Sequence, residues 1–375
     1  MSLEPLSQKE EEVFYGLALG LIPGIGHIYA KTLLSYVGSF KDIFQSKSAS
    51  LSKIPGIGSS IIEKIRHFNE FHLVENEIKY IEKNDVTPLF YSDKLFPKRL
   101  LNFNDSPFLL FSKGTVDLNP GRTLGIVGTR SPSNFGIKWT QDLIEHLKNE
   151  NIAIISGFAY GIDITAHKAC INMDIPTVGV LAGGYKYIYP AAHRQYMHDM
   201  CYRGGFITEA YADILPDRQR FPMRNRIIAA LSDGLIVVES AEKGGSIITA
   251  EYAFSYNKSL MALPGKPNDK ASRGCNMMIK KNKAVLVENF NDVLEEMNWD
   301  DKTLGHSRSV QTQLFRTLSE KEQSLINLLL PDREINVDQL IKKLDMRHSE
   351  FAAMLLALTM EGLISQLPGN RIVLN

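Results

Sequence analysis

A chain of 375 residues, 44% of them hydrophobic, can bury cores for two or three domains. Its 42 basic and 42 acidic residues cancel, so no global field draws it to nucleic acid or membrane, and any polyanion site must be local. No apolar run approaches the ~18 residues of a membrane helix, and Cys170, Cys201 and Cys275 lack the spacing of a disulfide framework or a zinc site. The expectation is a cytoplasmic protein with buried free thiols, no metal and no membrane contact.

Residues 1–80 read as short helices punctuated twice by a Pro-Gly-Ile-Gly turn, after Ile22 and after Ile54. Glycines there make a tight turn and present the next helix's first amides, a geometry able to hold one backbone phosphate. That is the helix-hairpin-helix pattern of a SAM-like domain, although few lysines flank it and such hairpins also serve as packing units. Residues 81–298 form the second region. Tyr91–Gly114, rich in aromatics and proline, reads as irregular, and from Thr123 the rhythm becomes strand, glycine turn, helix. The runs LGIVG, IAIISG, TVGVLAGG, FITE, GLIVVE, LMALPG and AVLVEN are short, unalternating and mostly glycine-ended, as parallel strands buried on both faces should be. Trp139, Leu143, Ile144 and Leu147 recur at helical spacing between the first two. The class is α/β, a Rossmann-like doubly wound parallel sheet. A polar linker over 299–316 leads to residues 317–375, whose order of three helices and a terminal strand pair is that of a winged helix. The third of these helices carries Glu350 and Glu361 but no lysine or arginine, which favours packing or protein contact over DNA reading.

In an open parallel sheet the ligand sits at the carboxyl ends of the strands. The turns there are Gly128-Thr129-Arg130, Gly157 to Gly161, Gly183-Gly184 and Gly244-Gly245-Ser246, where glycine admits a close phosphate and a helix's first amides favour an anion. Two basic concentrations accompany them: Arg218, Arg220, Arg224 and Arg226, then Lys266, Lys270, Arg273, Lys280, Lys281 and Lys283 against Asp269. There is no GxGxxG and no Walker A lysine, so no nucleotide cofactor is expected. Asp163, His167 and Glu251 are acid–base types, but Asp163 and His167, four apart, suit a helix-end charge and a helix hydrogen bond. Ser246 lacks a nucleophile elbow, so no catalytic residue is assigned. A run of phosphates fits better than one cofactor, and single-strand binders add aromatic platforms on which bases stack at about 1 to 3 kcal/mol each. Phe221 is the first candidate platform, with Tyr185, Tyr187 and Tyr189 behind it.

The segments VGTR, SGFAYGIDITAH, VLAGGYKYIYP, FPMRNRIIAALSD, GGSIITAEYA and LPGKPNDKASRGCNMMIK, in this order across Tyr91–Val287, closely resemble the DNA-processing protein A family (DprA/Smf). The resemblance implies a homodimeric, non-catalytic protein that binds single-stranded DNA during natural transformation, protects it and helps load the RecA recombinase. It carries DNA contact to Gly128, Thr129 and Arg130, to Phe221, Arg224, Asn225 and Arg226, and to Gly244, Gly245, Ser246 and Thr249. Gly157, Arg218, Lys266 and Asn276 complete the expected set. Two positions depart from the family pattern: Tyr160 stands where many members have lysine, and His193 where asparagine is usual. The alternative is a nucleoside monophosphate phosphoribohydrolase of the LOG family, loosely resembled in MRNR and GGSIITAE. That pattern needs a PGG that is absent, a lysine where Asn225 stands, and a glutamate one residue away from Glu251.

Overall fold

The computed structural model describes residues 7–299 and most of 319–374, in two compact units, Met1–Trp299 and Asp300–Asn375. Six helices open the first unit: α1 (Gln8–Leu21), α2 (His27–Val37), α3 (Phe40–Gln45), α4 (Ser48–Leu51), α5 (Ser59–Arg66) and α6 (Phe71–Lys83). A Ser7–Glu10 capping box starts α1. The two Pro-Gly-Ile-Gly turns lead into α2 and α5. Gly24 and Gly56 hold φ of 86° and 80°, which favours glycine, and Gly26 and Gly58 cap the helices that follow. The isoleucines of both turns point inward and are buried.

There follow β1 (Val86–Phe90), α7 (Lys98–Leu101), β2 (Leu109–Gly114), β3 (Arg122–Val127), α8 (Asn134–His146), β4 (Ile152–Ser156), α9 (Ile162–Met173) and β5 (Thr177–Val180). Then come α10 (Met197–Arg203), β6 (Gly205–Thr208), α11 (Arg220–Leu231), β7 (Gly234–Val237), α12 (Gly245–Ser255), β8 (Ser259–Ala262), α13 (Arg273–Lys280), β9 (Val285–Leu286) and α14 (Phe290–Met297). The strands form one sheet in the order β1-β2-β6-β5-β4-β3-β7-β8-β9. From β6 to β9 every pair is parallel, with Gly125 of β3 opposite Leu235 of β7.

Alternate residues serve opposite faces, as strand geometry requires. Leu124, Ile126, Ile154 and Ile236 pack with α8, α9 and α14, whereas Val127, Ile155, Leu235 and Val237 pack with α11 and α12. The sheet is therefore doubly wound. The chain runs outward from β3 to β6, then returns to β7 on the other side of β3, which makes the carboxyl ends of β3 and β7 the switch point.

The stretch Tyr91–Gly114 is more ordered than its composition predicts. It contains α7 and β2, and β2 joins β1 and β6 antiparallel, so the sheet is mixed at this end. Pro88 is tolerated because β1 is an edge strand. Phe90, Phe108 and Phe111 are buried against the amino-terminal helices, which accounts for the aromatic content. Trp299, placed at the start of the linker, instead packs into the first unit with the Arg122 guanidinium 5.7 Å from its ring centre.

In the second unit a Ser319–Glu322 capping box starts the helix Glu320–Leu328, and a longer helix spans His348–Met360. β10 (Ile335–Asn336), β11 (Ile364–Leu367) and β12 (Arg371–Leu374) form an antiparallel sheet in the order β10-β12-β11. Leu325, Leu340, Phe351, Leu358 and Ile372 form its core. The rest of the expected linker, much of the expected second helix, Glu361 and the Pro-Gly turn lie outside the described residues.

Candidate nucleic-acid interface

At the switch point a cleft of about 380 Å³ opens between the turn after β3, the loop after β4 and the amino end of α12. Glycines allow this convergence. A Cβ on Gly128 would lie 2.5 Å from the Ile162 side chain, and one on Gly161, at φ 83°, would lie 2.1 Å from the Thr129 carbonyl. The Ile162 amide donates to that same carbonyl at 3.2 Å, so the two loops are stapled and the Arg130 backbone is fixed. The Arg130 side chain is exposed, with its guanidinium 5.4 Å from the centre of the Phe221 ring. Arg224 approaches the same ring at 6.0 Å, which leaves Phe221 flanked by two cations.

On the opposite wall α12 starts at Gly245, with Gly244 as its cap and no acidic residue in its first turn. Its first amides have no partner within the helix, and so suit an anion. Ser246 Oγ donates to Ser240 Oγ at 2.7 Å, which steadies the turn, and Thr249 lines the cleft one turn further on.

Arg224 is buried beneath the cleft and donates to the carbonyls of Gly157 and Val180. Burial pulls its pKa down to about 10, which still leaves a cation at neutral pH. Asp163 is the one acidic residue of the lining. Burial pushes its carboxyl upward, opposed by the Arg224 charge and the amides of Ala159 and Gly157. A Cβ on Gly157 would stand 2.5 Å from Asp163 Oδ2 and 2.8 Å from an Arg224 nitrogen. Gly157 therefore makes room for both side chains and does not itself line this cleft.

Gly128, Thr129, Arg130, Phe221, Arg224, Asn225, Gly244, Gly245, Ser246 and Thr249 all line the one cleft. Arg226 does not. Two residues beyond Arg224 it points roughly 200° around the helix, where it bonds the Asp105 carbonyl and pairs with Glu209. Arg218 and Lys266 are exposed on loops outside the lining. Asn276 is held by its own loop: its Oδ1 accepts the Gly265 amide at 3.1 Å, and its Nδ2 donates to the Gly265 carbonyl at 2.9 Å. Tyr185 is no platform, because it is buried with its hydroxyl donating to the carbonyls of Phe111 and Phe206. Tyr189 is 47% exposed and meets Phe221 edge-on at 5.7 Å, and Tyr187 is exposed nearby.

The acid–base types stand apart. His167 is buried, with Nδ1 donating to Thr177 Oγ1 at 2.7 Å, and burial pushes its pKa to about 3, so it stays neutral. Glu251 pairs with Lys283 at 2.7 Å, outside the cleft. Sequence reasoning overlooked Ser240 and weighed Asp163 as an acid–base type or a helix-end charge, not as part of the cleft lining. It also missed Glu239, which accepts the amide and hydroxyl of Ser133 where α8 begins. The two departures from the family pattern prove to be neighbours, with the rings of Tyr160 and His193 4.9 Å apart. Among the described residues no helix is long and apolar enough to cross a membrane. No group of three or more His, Cys, Asp or Glu residues among them could hold a metal ion.

Comparison with known proteins covers all three regions of the chain. Residues 87–298, more than half of the chain, match the family model for DNA recombination-mediator protein A; residues 311–370 match the DprA winged helix domain and residues 17–67 a SAM-like helix-hairpin-helix tandem. Protein Smf of Synechocystis is 29% identical over 96% of this chain and 98% of its own. DNA processing protein DprA of Bacillus subtilis is 37% identical over 55% of this chain and 69% of its own. The solved structure of DNA processing protein A from Streptococcus pneumoniae superposes with a TM-score of 0.66 at 28% identity, covering 76% of this chain and 97% of that one. The protein of the same name from Helicobacter pylori, solved for its single-stranded DNA binding mode, gives 0.52 at 27% identity over 57% of this chain and 96% of that one. The chain belongs to the DNA recombination-mediator protein A family.

Proposed function

We propose that the switch-point cleft holds single-stranded DNA by its phosphates, and that the protein protects the strand and helps load the RecA recombinase onto it. One observation carries this reading: an exposed Arg130, a buried Arg224 and the first amides of α12 converge on one cleft that holds a single acid, Asp163. Phosphates suit the cations and amides, and an aromatic ring, Phe221, stands among them for a base. A cleft of about 380 Å³ is large enough for a nucleotide unit. The single-strand binding mode of the Helicobacter pylori relative supports the same choice. The protein acts as a cytoplasmic homodimer without cofactor, as the family resemblance implies.

No catalytic step is assigned. His167 faces Thr177 and not Asp163, and Ser246 donates to Ser240 with no imidazole as its base. The phosphoribohydrolase alternative calls on Glu251, whose carboxylate is occupied by Lys283 away from the cleft.

Fluorescence anisotropy of a labelled oligothymidylate, titrated at several salt concentrations with a duplex competitor, tests the proposal. Tight, salt-sensitive binding that the duplex displaces poorly is expected. Absence of binding at low salt contradicts it, and release of base from nucleoside monophosphates would then support the enzyme.

A further inference from the structure

The loop after β4 carries a feature that the phosphate cleft leaves unexplained. Phe158 is fully buried at φ 58° and Gly161 stands at φ 83°, and between these two left-handed residues the chain turns Tyr160 outward, 44% exposed. A large ring in solvent is ordinarily mobile, but this one is mounted. It meets the His193 ring edge-on, 4.9 Å between centres and 75° between planes. His193 is buried, donates from Nδ1 to the Phe158 carbonyl at 3.1 Å, and packs edge-on against the Phe158 ring. Burial lowers its pKa, so the mount is a neutral ring at pH 7 and brings no charge of its own.

Position gives the ring its meaning. Ala159, one residue before Tyr160, lines the cleft, and Gly161, one residue after, lies against the Arg130 backbone. Tyr160 therefore sits on a loop that both lines the cleft and abuts the Arg130 backbone, so the rim carries a second exposed aromatic besides those at Phe221. Beyond His193 lies Tyr196, 6.5 Å between ring centres, whose ring has the Lys168 ammonium 5.4 Å from its centre, so a further aromatic and a further cation follow along the same surface. Aromatic faces combined with cations are what a single strand requires, bases on the first and phosphates on the second.

We infer that Tyr160, held by His193, is a base-stacking platform on which a single strand of DNA leaves the cleft past Arg130 towards Lys168. This rests on the single-strand reading of the cleft and extends it by at least one nucleotide. A held ring loses little freedom when a base lands on it, so most of the stacking energy appears as affinity.

The test uses the full chain and an oligothymidylate, comparing wild type with Tyr160→Ala, Tyr160→Phe and Arg130→Ala over a range of salt. Stacking predicts that Tyr160→Ala binds about five-fold or more weakly with an unchanged salt slope, and that Tyr160→Phe binds like wild type. An oligonucleotide carrying 5-iodouracil should also form a photocrosslink that maps to Tyr160. Wild-type affinity in a folded Tyr160→Ala, alongside weakened binding in Arg130→Ala, overturns the platform and leaves the cleft reading standing. An altered salt slope in Tyr160→Ala also overturns it, since a neutral ring touches no phosphate. Failure of the wild-type chain to bind the oligonucleotide removes both.

Discussion

The cleft at the switch point and the seam between the amino-terminal helices and the sheet are both built on α11, from arginines two residues apart, and they use charge in opposite ways. In the seam the Arg226 guanidinium meets Glu209 and the Asp105 carbonyl, and His27, whose Nδ1 accepts the Phe108 amide at 3.3 Å, has Nε2 left to donate to Glu209 at 3.2 Å. Tyr256 donates to Asp105 at 2.5 Å and Lys31 to Ser106 at 2.5 Å, which closes the seam. In the cleft Arg130 forms no ion pair among the described residues, and Arg224 faces two carbonyls with one raised carboxyl nearby. A neutralised cation joins elements of the fold; an unneutralised one is available to a ligand. The same residue type in the same helix therefore does different work, and the neighbours decide which.

Breaking the seam should have the largest effect. Arg226→Ala leaves the mostly buried Glu209, its side chain 15% exposed, without its main counter-charge, which should cost about 3 kcal/mol of stability in urea unfolding. The salt dependence of DNA binding should stay as in wild type. The seam should also show in pH. Although burial pushes the Glu209 carboxyl up, the bonds and charges of His27 and Arg226 hold it below its ordinary value. A depressed folded pKa adds stability that is present above the unfolded value of about 4.3 and is lost as pH falls through the folded one. The stability gap between wild type and Glu209→Gln should accordingly be full at pH 7, begin to shrink as pH falls below about 4.3, and vanish only below the depressed folded value.

The cleft gives the smaller, complementary result. Arg130→Ala removes an exposed side chain, so stability should move by no more than about 0.5 kcal/mol, while oligothymidylate affinity falls about ten-fold. Smallest of all, Glu251→Gln breaks one solvent-exposed pair with Lys283. It should change stability by less than about 0.5 kcal/mol and leave DNA binding untouched.

Much of this was legible in the residues. Glycine-ended apolar runs placed the parallel strands and their turns, and turns at the carboxyl ends of β3 and β7 meet at a switch point by topology alone. The antiparallel pair was hidden because the aromatics and prolines of Tyr91–Gly114 suggest irregular chain, whereas the cover of amino-terminal helices accounts for the aromatics and an edge position accommodates Pro88 in β1. Arg224 and Arg226 were grouped by closeness in sequence, though helical spacing alone puts them on different sides of α11. Asn276 and Tyr185 were engaged by partners distant or unpredictable in sequence: a loop carbonyl in one case, two strand carbonyls in the other. Periodicity locates a side chain on its element; it carries no information about which distant partner has already claimed it.

The salt slopes of oligothymidylate binding, measured in parallel for wild type, Arg130→Ala and Arg226→Ala under conditions where all three are folded, test the contrast most directly. One lost phosphate contact should flatten the slope for Arg130→Ala by about 0.7, with Arg226→Ala parallel to wild type. A slope unchanged in Arg130→Ala, or flattened in Arg226→Ala, would contradict the assignment of the two arginines.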